Sequence, residues 1–494
     1  MKKRCFISLI AGISLLLGAC GKTAGSGLED VLGEDGVRSI SAGEENGGMA
    51  GNARGEQGDG RTAGNAQAEQ SGFAGQNGGL ELLAAADGYG CHTQDGYYYL
   101  TEDMVELTDG SYGCHLMYVD FGSCQEVYLC SNAGCSHNSP DCQAVFLYDD
   151  FPFMSTRIFI YQDSLYILSR DFDDDGSMQT NFMAEGDDFE METSPCVLYR
   201  AGLDGSGREK VYAFDPALSL EDCVMGDGRG LYLVAKKLTS ERDGMDTYIS
   251  STERRLLFLD PVEKKESTVC SLDFGDNVSW KIIGCTGDTV LLSGIDYGRE
   301  LSREEYFDDD AYKELHENSE AVYATLSLGD MEEGYSMELH PLYRMSNREE
   351  NSALAEGTRL YVSSSADGCI RWIDVNTGEE HPLVSRPGQY FYLYEAMGNK
   401  LCCKDGSWDK TFYFVDTDTG EVSHSGLVNK NNGWSLEFRA TVGSDVLVIY
   451  DYEATYLGEG SYNITRYQYG LISLEDLVAG RDNFRRINMV GKGV

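Results

Sequence analysis

Ile373-Asp374-Val375-Asn376-Thr377-Gly378-Glu379 and Val415-Asp416-Thr417-Asp418-Thr419-Gly420-Glu421 are one hairpin written twice, residue class for residue class. In each, an apolar strand ends on Asp, and the Gly after Thr supplies the positive φ of a tight bend. A second unit, a Gly or Asp turn followed by a short apolar strand, recurs along the whole chain. Its copies are Asp95-Gly96-Tyr97-Tyr98-Tyr99-Leu100, Asp163-Ser164-Leu165-Tyr166-Ile167-Leu168, Gly228-Arg229-Gly230-Leu231-Tyr232-Leu233-Val234 and Gly287-Asp288-Thr289-Val290-Leu291-Leu292. It returns as Gly357-Thr358-Arg359-Leu360-Tyr361-Val362, Gly398-Asn399-Lys400-Leu401-Cys402 and Gly443-Ser444-Asp445-Val446-Leu447-Val448-Ile449. Repetition at roughly 40 to 70 residues predicts an all-β fold, a β-propeller in which each copy belongs to one four-stranded blade. Seven copies predict seven blades, and six or eight would also fit the spacing.

The strands are short and lack clean alternation, as expected where each small sheet is covered on both faces by its neighbours. Leu198-Tyr199-Arg200, Leu257-Phe258-Leu259-Asp260 and Leu342-Tyr343-Arg344 read as the strand after the repeated one. A β-sandwich or a pair of smaller β domains is the alternative, but no Pro-rich or polar break divides the body. Among 494 residues, 31 Tyr and 58 Gly with only 8 Pro also suit many short strands joined by turns. The hairpins resemble those of TolB-like and related propeller domains of secreted bacterial lipoproteins. That resemblance covers roughly residues 85–480; it implies a fold and no activity. The chain carries 82 acidic against 39 basic side chains, a formal charge of −43. Nucleic acid is excluded as a partner, because its recognition rests on Lys and Arg neutralising phosphates.

The first residues read as an address. Met1-Lys2-Lys3-Arg4 is a positive n-region, and Phe6 to Leu17 is an apolar stretch with the length of a signal-peptide core. It is short for a membrane span, which needs roughly 20 residues. Leu17-Gly18-Ala19-Cys20 resembles the lipobox of bacterial lipoproteins, with an ordinary signal peptide as the alternative. The resemblance implies cleavage after residue 19 and lipidation of Cys20, placing the protein on the extracytoplasmic face of a cell membrane. So acidic a chain is repelled by anionic headgroups, so the acyl chains would have to hold it there. Between Gly43 and Gly79 stand twelve glycines and no Val, Ile, Tyr, Trp or Cys. Residues 20–80 are therefore expected to be a disordered tether, spanning on the order of 40 Å. The body would run from 81 to 494, with loop insertions near 171–195 and 300–338 on one rim. The first is acidic: Asp171, Asp173, Asp174 and Asp175 precede Gly176. A Ca²⁺ loop begins in this way, but Phe182 stands where its bidentate Glu belongs. In the second, Ser302–Glu317 reads as a helix with Tyr306, Tyr312 and Leu315 on one face.

Chemistry concentrates in Cys130-Ser131-Asn132-Ala133-Gly134-Cys135-Ser136-His137-Asn138-Ser139-Pro140-Asp141-Cys142. Cys130, Cys135, His137 and Cys142 could surround Zn²⁺ tetrahedrally, although the spacing is that of no familiar finger or knuckle. The run resembles Cys-Cys-His-Cys stretches in propeller lipoproteins of Gram-positive anaerobes, and that resemblance implies no activity. A Cys130–Cys142 disulfide loop or unpaired thiols are the competing readings, and an exported chain permits a disulfide. Of fifteen cysteines, removing Cys5 and Cys20 leaves thirteen, so one chain cannot pair them all. Cys91, Cys114 and Cys124 enrich the first blade, whereas Cys270, Cys285, Cys369 and Cys402 sit in apolar strands as small hydrophobes. His92, His115, His316, His340, His381 and His424 are scattered and read as surface or strand-end residues. No G-x-S-x-G elbow, H-E-x-x-H or phosphate loop is present. The sequence therefore reads first as a membrane-anchored propeller that binds an extracellular small molecule, glycan or protein. A propeller enzyme of polysaccharide lyase or glycosidase type, with its site in the axial channel, is the alternative. A metal or thiol sensor centred on the first blade is the third.

Overall fold

The computed structural model describes residues 79–490, apart from 86–89, 102–104, 148–155, 170–194, 244–245, 275–277, 300–308, 329–338, 407–409, 431–432 and 459–460. The expected signal peptide, Cys20, nearly all of the expected tether, the acidic run at 171–176 and Phe182 lie outside the described residues.

After a short first strand, β1 (Glu81–Ala84), the chain lays down seven sheets in sequence order. Blade I comprises β2 (Gly90–His92), β3 (Gly96–Leu100), β4 (Val105–Glu106), β5 (Tyr112–Asp120), β6 (Gln125–Tyr128) and β7 (Val145–Leu147). Blade II holds β8 (Arg157–Tyr161), β9 (Ser164–Ser169), β10 (Val197–Gly202) and β11 (Glu209–Ala213). Blade III holds β12 (Ser219–Gly226), β13 (Leu231–Asp243), β14 (Asp246–Asp260) and β15 (Lys265–Ser271). Blade IV holds β16 (Val278–Thr286), β17 (Thr289–Asp296), β18 (Glu320–Ser327) and β19 (Leu339–Ser346), with α1 (Asp309–Glu317) between its second and third strands. Blade V holds β20 (Asn351–Glu356), β21 (Arg359–Ser364), β22 (Cys369–Asp374) and β23 (Glu380–Ser385). Blade VI holds β24 (Phe391–Met397), β25 (Lys400–Asp405), β26 (Phe412–Asp416) and β27 (Val422–Ser425). Blade VII holds β28 (Glu437–Val442), β29 (Asp445–Gly458), β30 (Ser461–Ser473) and β31 (Arg485–Arg486), with α2 (Leu474–Val478) before the last.

The seven repeated turn–strand units are the second strands of the seven blades, β3, β9, β13, β17, β21, β25 and β29. Two expectations are corrected. Leu342-Tyr343-Arg344 lies in the fourth strand of its blade, not the third. The stretch 300–338 is not one long loop, because it contains β18, whose Val322, Ala324 and Leu326 are core residues. Acidic flanks disguised an apolar strand that is buried on both faces.

Seven core clusters are each shared by two neighbouring blades. Tyr98 and Leu116 of blade I pack with Leu165 and Ile167 of blade II. Val234 and Leu256 of blade III pack with Leu292 and Ala324 of blade IV. Tyr97, Met117 and Val119 of blade I pack with Leu447, Ile449 and Leu471 of blade VII. That last cluster makes the arrangement a closed seven-bladed propeller. First strands of neighbouring blades touch, β2 with β8, β16 with β20 and β28 with β2, so they line the centre.

β1 pairs antiparallel with the inner strand β12 and also touches β8 and β16. The N-terminal strand thus runs through the middle of the ring as a fifth strand of blade III. Its beginning is pinned where Leu80 N donates to Gly287 O at 2.6 Å, in the turn joining the first two strands of blade IV. Strands within a blade run alternately up and down. First-to-second and third-to-fourth turns therefore leave from one face, and second-to-third turns and blade-to-blade crossovers from the other. The chain enters β1 at the first of these faces.

The second face is built up. Beyond Lys236 and Arg255 neither flanking strand of blade III continues, and β13–β14 run on as a two-stranded ribbon. β29–β30 do the same beyond Ile449 and Gly470 in blade VII. Seven residues at about 3.3 Å each carry such a ribbon roughly 20 Å beyond the blade. Among the described residues no helix is long and apolar enough to cross a membrane.

Candidate metal centre on the first blade

The outer edge of blade I is a strand with a loop pinched out of it. β6 and β7 both pair antiparallel with β5, one after the other. They meet at Leu116: Leu129 N donates to Leu116 O at 2.9 Å, and Leu116 N donates to Ala144 O at 2.7 Å. Residues 129–144 between them form a compact Ω-type loop whose two ends are held side by side.

Local chemistry folds this loop on itself. Cys135 N donates to Asn132 O at 3.2 Å and Cys142 N to Ser139 O at 2.9 Å, closing two turns. Gly134 sits at φ 77°, and His137 takes a left-handed φ of 54°. Ser131 donates from N and Oγ to Gln143 Oε1, at 3.1 and 2.9 Å, and so fastens the loop mouth. Thr108 N donates to Asn138 O at 2.8 Å, tying the tip to the chain before β5. Cys142 packs with Leu107, Ala144 and Val145 in a small core of its own.

These turns bring together the four residues singled out from the sequence. The sulfurs of Cys130, Cys135 and Cys142 and a ring nitrogen of His137 all lie within 4.8 Å of one another. His137 Nδ1 is 3.4 Å from Cys142 Sγ. No disulfide joins any two of the thirteen described cysteines. A donor set of three sulfurs and one imidazole nitrogen can hold a metal ion.

The electrostatics of the sulfurs differ. Burial acts to raise the Cys130 thiol, but backbone N–H groups of Asn132 and Gln143 and the neighbouring thiols bring it below its ordinary value. Burial pushes the Cys142 thiol up to about 12, against a hydrogen bond from the Ala144 N–H. Burial and the neighbouring His115 both lower His137, which favours the neutral, ligating imidazole.

The sequence did not single out the residues that hold His137. His115, 5% exposed on β5, lies with Nε2 2.7 Å from His137 O, so that nitrogen carries the proton and donates. Tyr128 stacks on the His137 ring at 4.4 Å and 18°, and meets His115 edge-on at 4.9 Å. Strand pairing creates this set, and the linear spacing carries no signal for it. The remaining candidates stay apart. Cys91, Cys114 and Cys124 are not in the cluster, and Cys270 and Cys402 are buried core residues. Cys285 and Cys369 are half-buried. His381 stacks on Trp372 at 4.0 Å, and His424 Nε2 meets Thr411 Oγ1 at 3.1 Å.

No protein-family model and no curated protein matches the sequence. Solved structures share its fold at low identity. An oligogalacturonate lyase in complex with manganese is 12% identical, with 80% of this chain and 90% of that one covered and a TM-score of 0.38. TolB from Acinetobacter baumannii is also 12% identical, covering 80% of each chain, with a TM-score of 0.31. A puromycin hydrolase is 13% identical with a TM-score of 0.44; 85% of this chain spans 55% of that one.

Proposed function

We propose that the protein is a lipid-anchored propeller on the extracytoplasmic face of a cell membrane, attached through Cys20, and that its built-up face binds an extracellular protein or glycan. One observation carries the reading. The exposed large aromatic residues among those described are Tyr112, Tyr312 and Trp434, at 46%, 44% and 57% exposure. Tyr112 begins β5, Tyr312 lies on α1, and Trp434 lies on the crossover from blade VI to blade VII. All three positions belong to the face that carries the two ribbons, opposite the face where the chain enters β1. Aromatic rings supply large contact area at low entropic cost, against protein and sugar alike. On the inner strands, Glu221 pairs with Lys236 and Arg254, and Arg439 with Glu437, within their own blades, whereas burial alone raises the Glu356 carboxyl. The ion at the Cys/His cluster is, in this reading, Zn²⁺.

The test uses the full chain displayed on cells. Replacing Tyr112, Tyr312 and Trp434 together with Ala should abolish capture on glycan arrays or by purified surface proteins, with circular dichroism unchanged. Undiminished capture would move the binding site elsewhere, and depolymerisation of an acidic polysaccharide would replace binding with the enzyme reading. Cys20→Ala should release the protein to the medium or leave it uncleaved; a membrane-bound variant of mature size would sink the anchor.

A further inference from the structure

We propose that the 129–144 loop is a closed, structural Zn²⁺ site. Sγ of Cys130, Cys135 and Cys142 and Nδ1 of His137 are the ligands, and the ion clasps the loop onto the edge of blade I. The proposal rests on reading the cluster as a metal site and adds what the ion does there.

Donor chemistry selects the ion. Thiolates and imidazole suit Zn²⁺, whereas Ca²⁺ and Mg²⁺ require oxygen. Bonds of about 2.0–2.3 Å in a tetrahedron place donors about 4 Å apart. The observed 4.8 Å limit therefore closes by about one ångström on an ion. Four protein donors fill four positions and leave none for water or substrate, which separates a structural from a catalytic zinc.

The surroundings point the same way. Three thiolates and one neutral imidazole around Zn²⁺ carry a net charge of −1, in a chain already strongly acidic. Backbone N–H groups aimed at Cys130 and Cys142 place positive dipole ends against that charge. His115 and Tyr128 fix His137, the former through its carbonyl and the latter through its ring face. Such supporting contacts are what ligating histidines need. A Cys130–Cys142 disulfide would use neither Cys135 nor His137, yet both turn inward to the cluster.

The ion has a mechanical task. Few apolar side chains of the loop are buried, Cys142 and Ala144 among them, so packing alone holds it weakly. Binding deprotonates up to three thiols and releases those protons to solvent, with no change in oxidation state. Ligation then joins both ends of the loop to its tip.

The full chain purified without chelator should contain about one equivalent of zinc. Cobalt exchanged into the site should give the intense visible bands of tetrahedral thiolate coordination. His137→Ala should weaken affinity by more than the roughly 10- to 100-fold that a supporting partner costs, and His137→Cys should restore it. Chelation should lower the midpoint of loop proteolysis in the wild type and not in Cys135→Ser/Cys142→Ser, which guards against a variant that merely misfolds. Less than a few tenths of an equivalent, with thiols that resist alkylation until reduced, would overturn the proposal in favour of a disulfide. A five- or six-coordinate cobalt spectrum, or unchanged affinity in His137→Ala, would overturn the closed four-ligand site. None of these measurements involves an extracellular partner, so they stand apart from the binding reading.

Discussion

Asp416 gathers the bend that follows β26 around one carboxylate. Oδ1 accepts from Asp418 N at 3.1 Å, Thr419 N at 2.8 Å and Thr419 Oγ1 at 2.9 Å. Oδ2 accepts from Lys400 Nζ at 2.8 Å and Asn399 Nδ2 at 2.9 Å. Its counterpart Asp374 accepts from Asn376 N and Thr377 N, both at 2.9 Å. The repeated Asp-x-x-Thr-Gly and Asp-Val-Asn-Thr-Gly patterns made both bends readable. The Lys400 partner was not readable, because it faces Asp416 across a strand pair. Asp416→Ala should cost about 2 kcal/mol in urea unfolding, and Asp374→Ala about half of that. The pH dependence has a definite sign. Lys400 foremost, with the Thr419 and Asp418 donors and against desolvation, holds the Asp416 carboxyl well below the usual carboxylate range. A depressed folded value contributes stability above the unfolded value and loses it as pH falls through the folded one. The urea-midpoint gap between wild type and Asp416→Ala should therefore be full at neutral pH and shrink below about pH 4. A gap that stayed constant to strong acid would show that the charge contributes nothing.

Elements were legible where chemistry repeats and obscure where partners come from another strand. The four candidate ligands of the 129–144 loop stood out in the sequence, and the structure does bring them together. His115 did not, since twenty-two residues and a strand pairing separate it from His137. Substituting His115→Phe keeps a ring beside Tyr128 and removes the N–H that meets the His137 carbonyl. Zinc stoichiometry should survive while affinity falls roughly 10- to 100-fold, measured by competition with a chromophoric chelator. An unchanged affinity would show that the contact is incidental to the site. The helix in blade IV shows the same limit. Spacing placed Tyr312 and Leu315 on one face; in the structure Leu315 is buried and Tyr312 is 44% exposed. A nine-residue helix beside one blade buries a narrow stripe. Tyr306 lies outside the described residues. The ribbons of blades III and VII were not readable at all. Register with a neighbour, not composition, decides where a blade ends and a ribbon begins.

The whole ring was legible as a count, because the seven second strands repeat, but not as a closure. Among the described residues no strand is exchanged between the first and last blades. The C-terminal segment closes them instead. Ile487 N donates to Tyr469 O at 2.9 Å within blade VII, and Asn488 then pairs with Gln125 on the edge of blade I. Asn488 N donates to Cys124 O at 2.9 Å, and Asn488 Nδ2 to Gln125 Oε1 at 2.7 Å. At the centre of this seam lies Glu126, 1% exposed. Its carboxylate accepts the Tyr99 hydroxyl and, at 2.6 Å, the Val490 N–H. Burial, with the charges of Tyr469 and Glu126, pushes the Tyr99 hydroxyl well up, so it stays a donor. A buried carboxylate that latches the 487–490 segment is costly to remove, because its donors are left without it. Glu126→Ala should destabilise the fold by about 3 kcal/mol and expose the 487–490 segment to proteolysis. Glu126→Gln should lose less, since its oxygen accepts the Val490 N–H and its amide donates to the Tyr99 oxygen. Equal losses in the two variants would assign the latch to charge, not hydrogen bonding. If the Ala variant unfolded at the wild-type urea midpoint, the closing force would belong wholly to the apolar seam of Tyr97, Met117, Val119, Leu447 and Leu471.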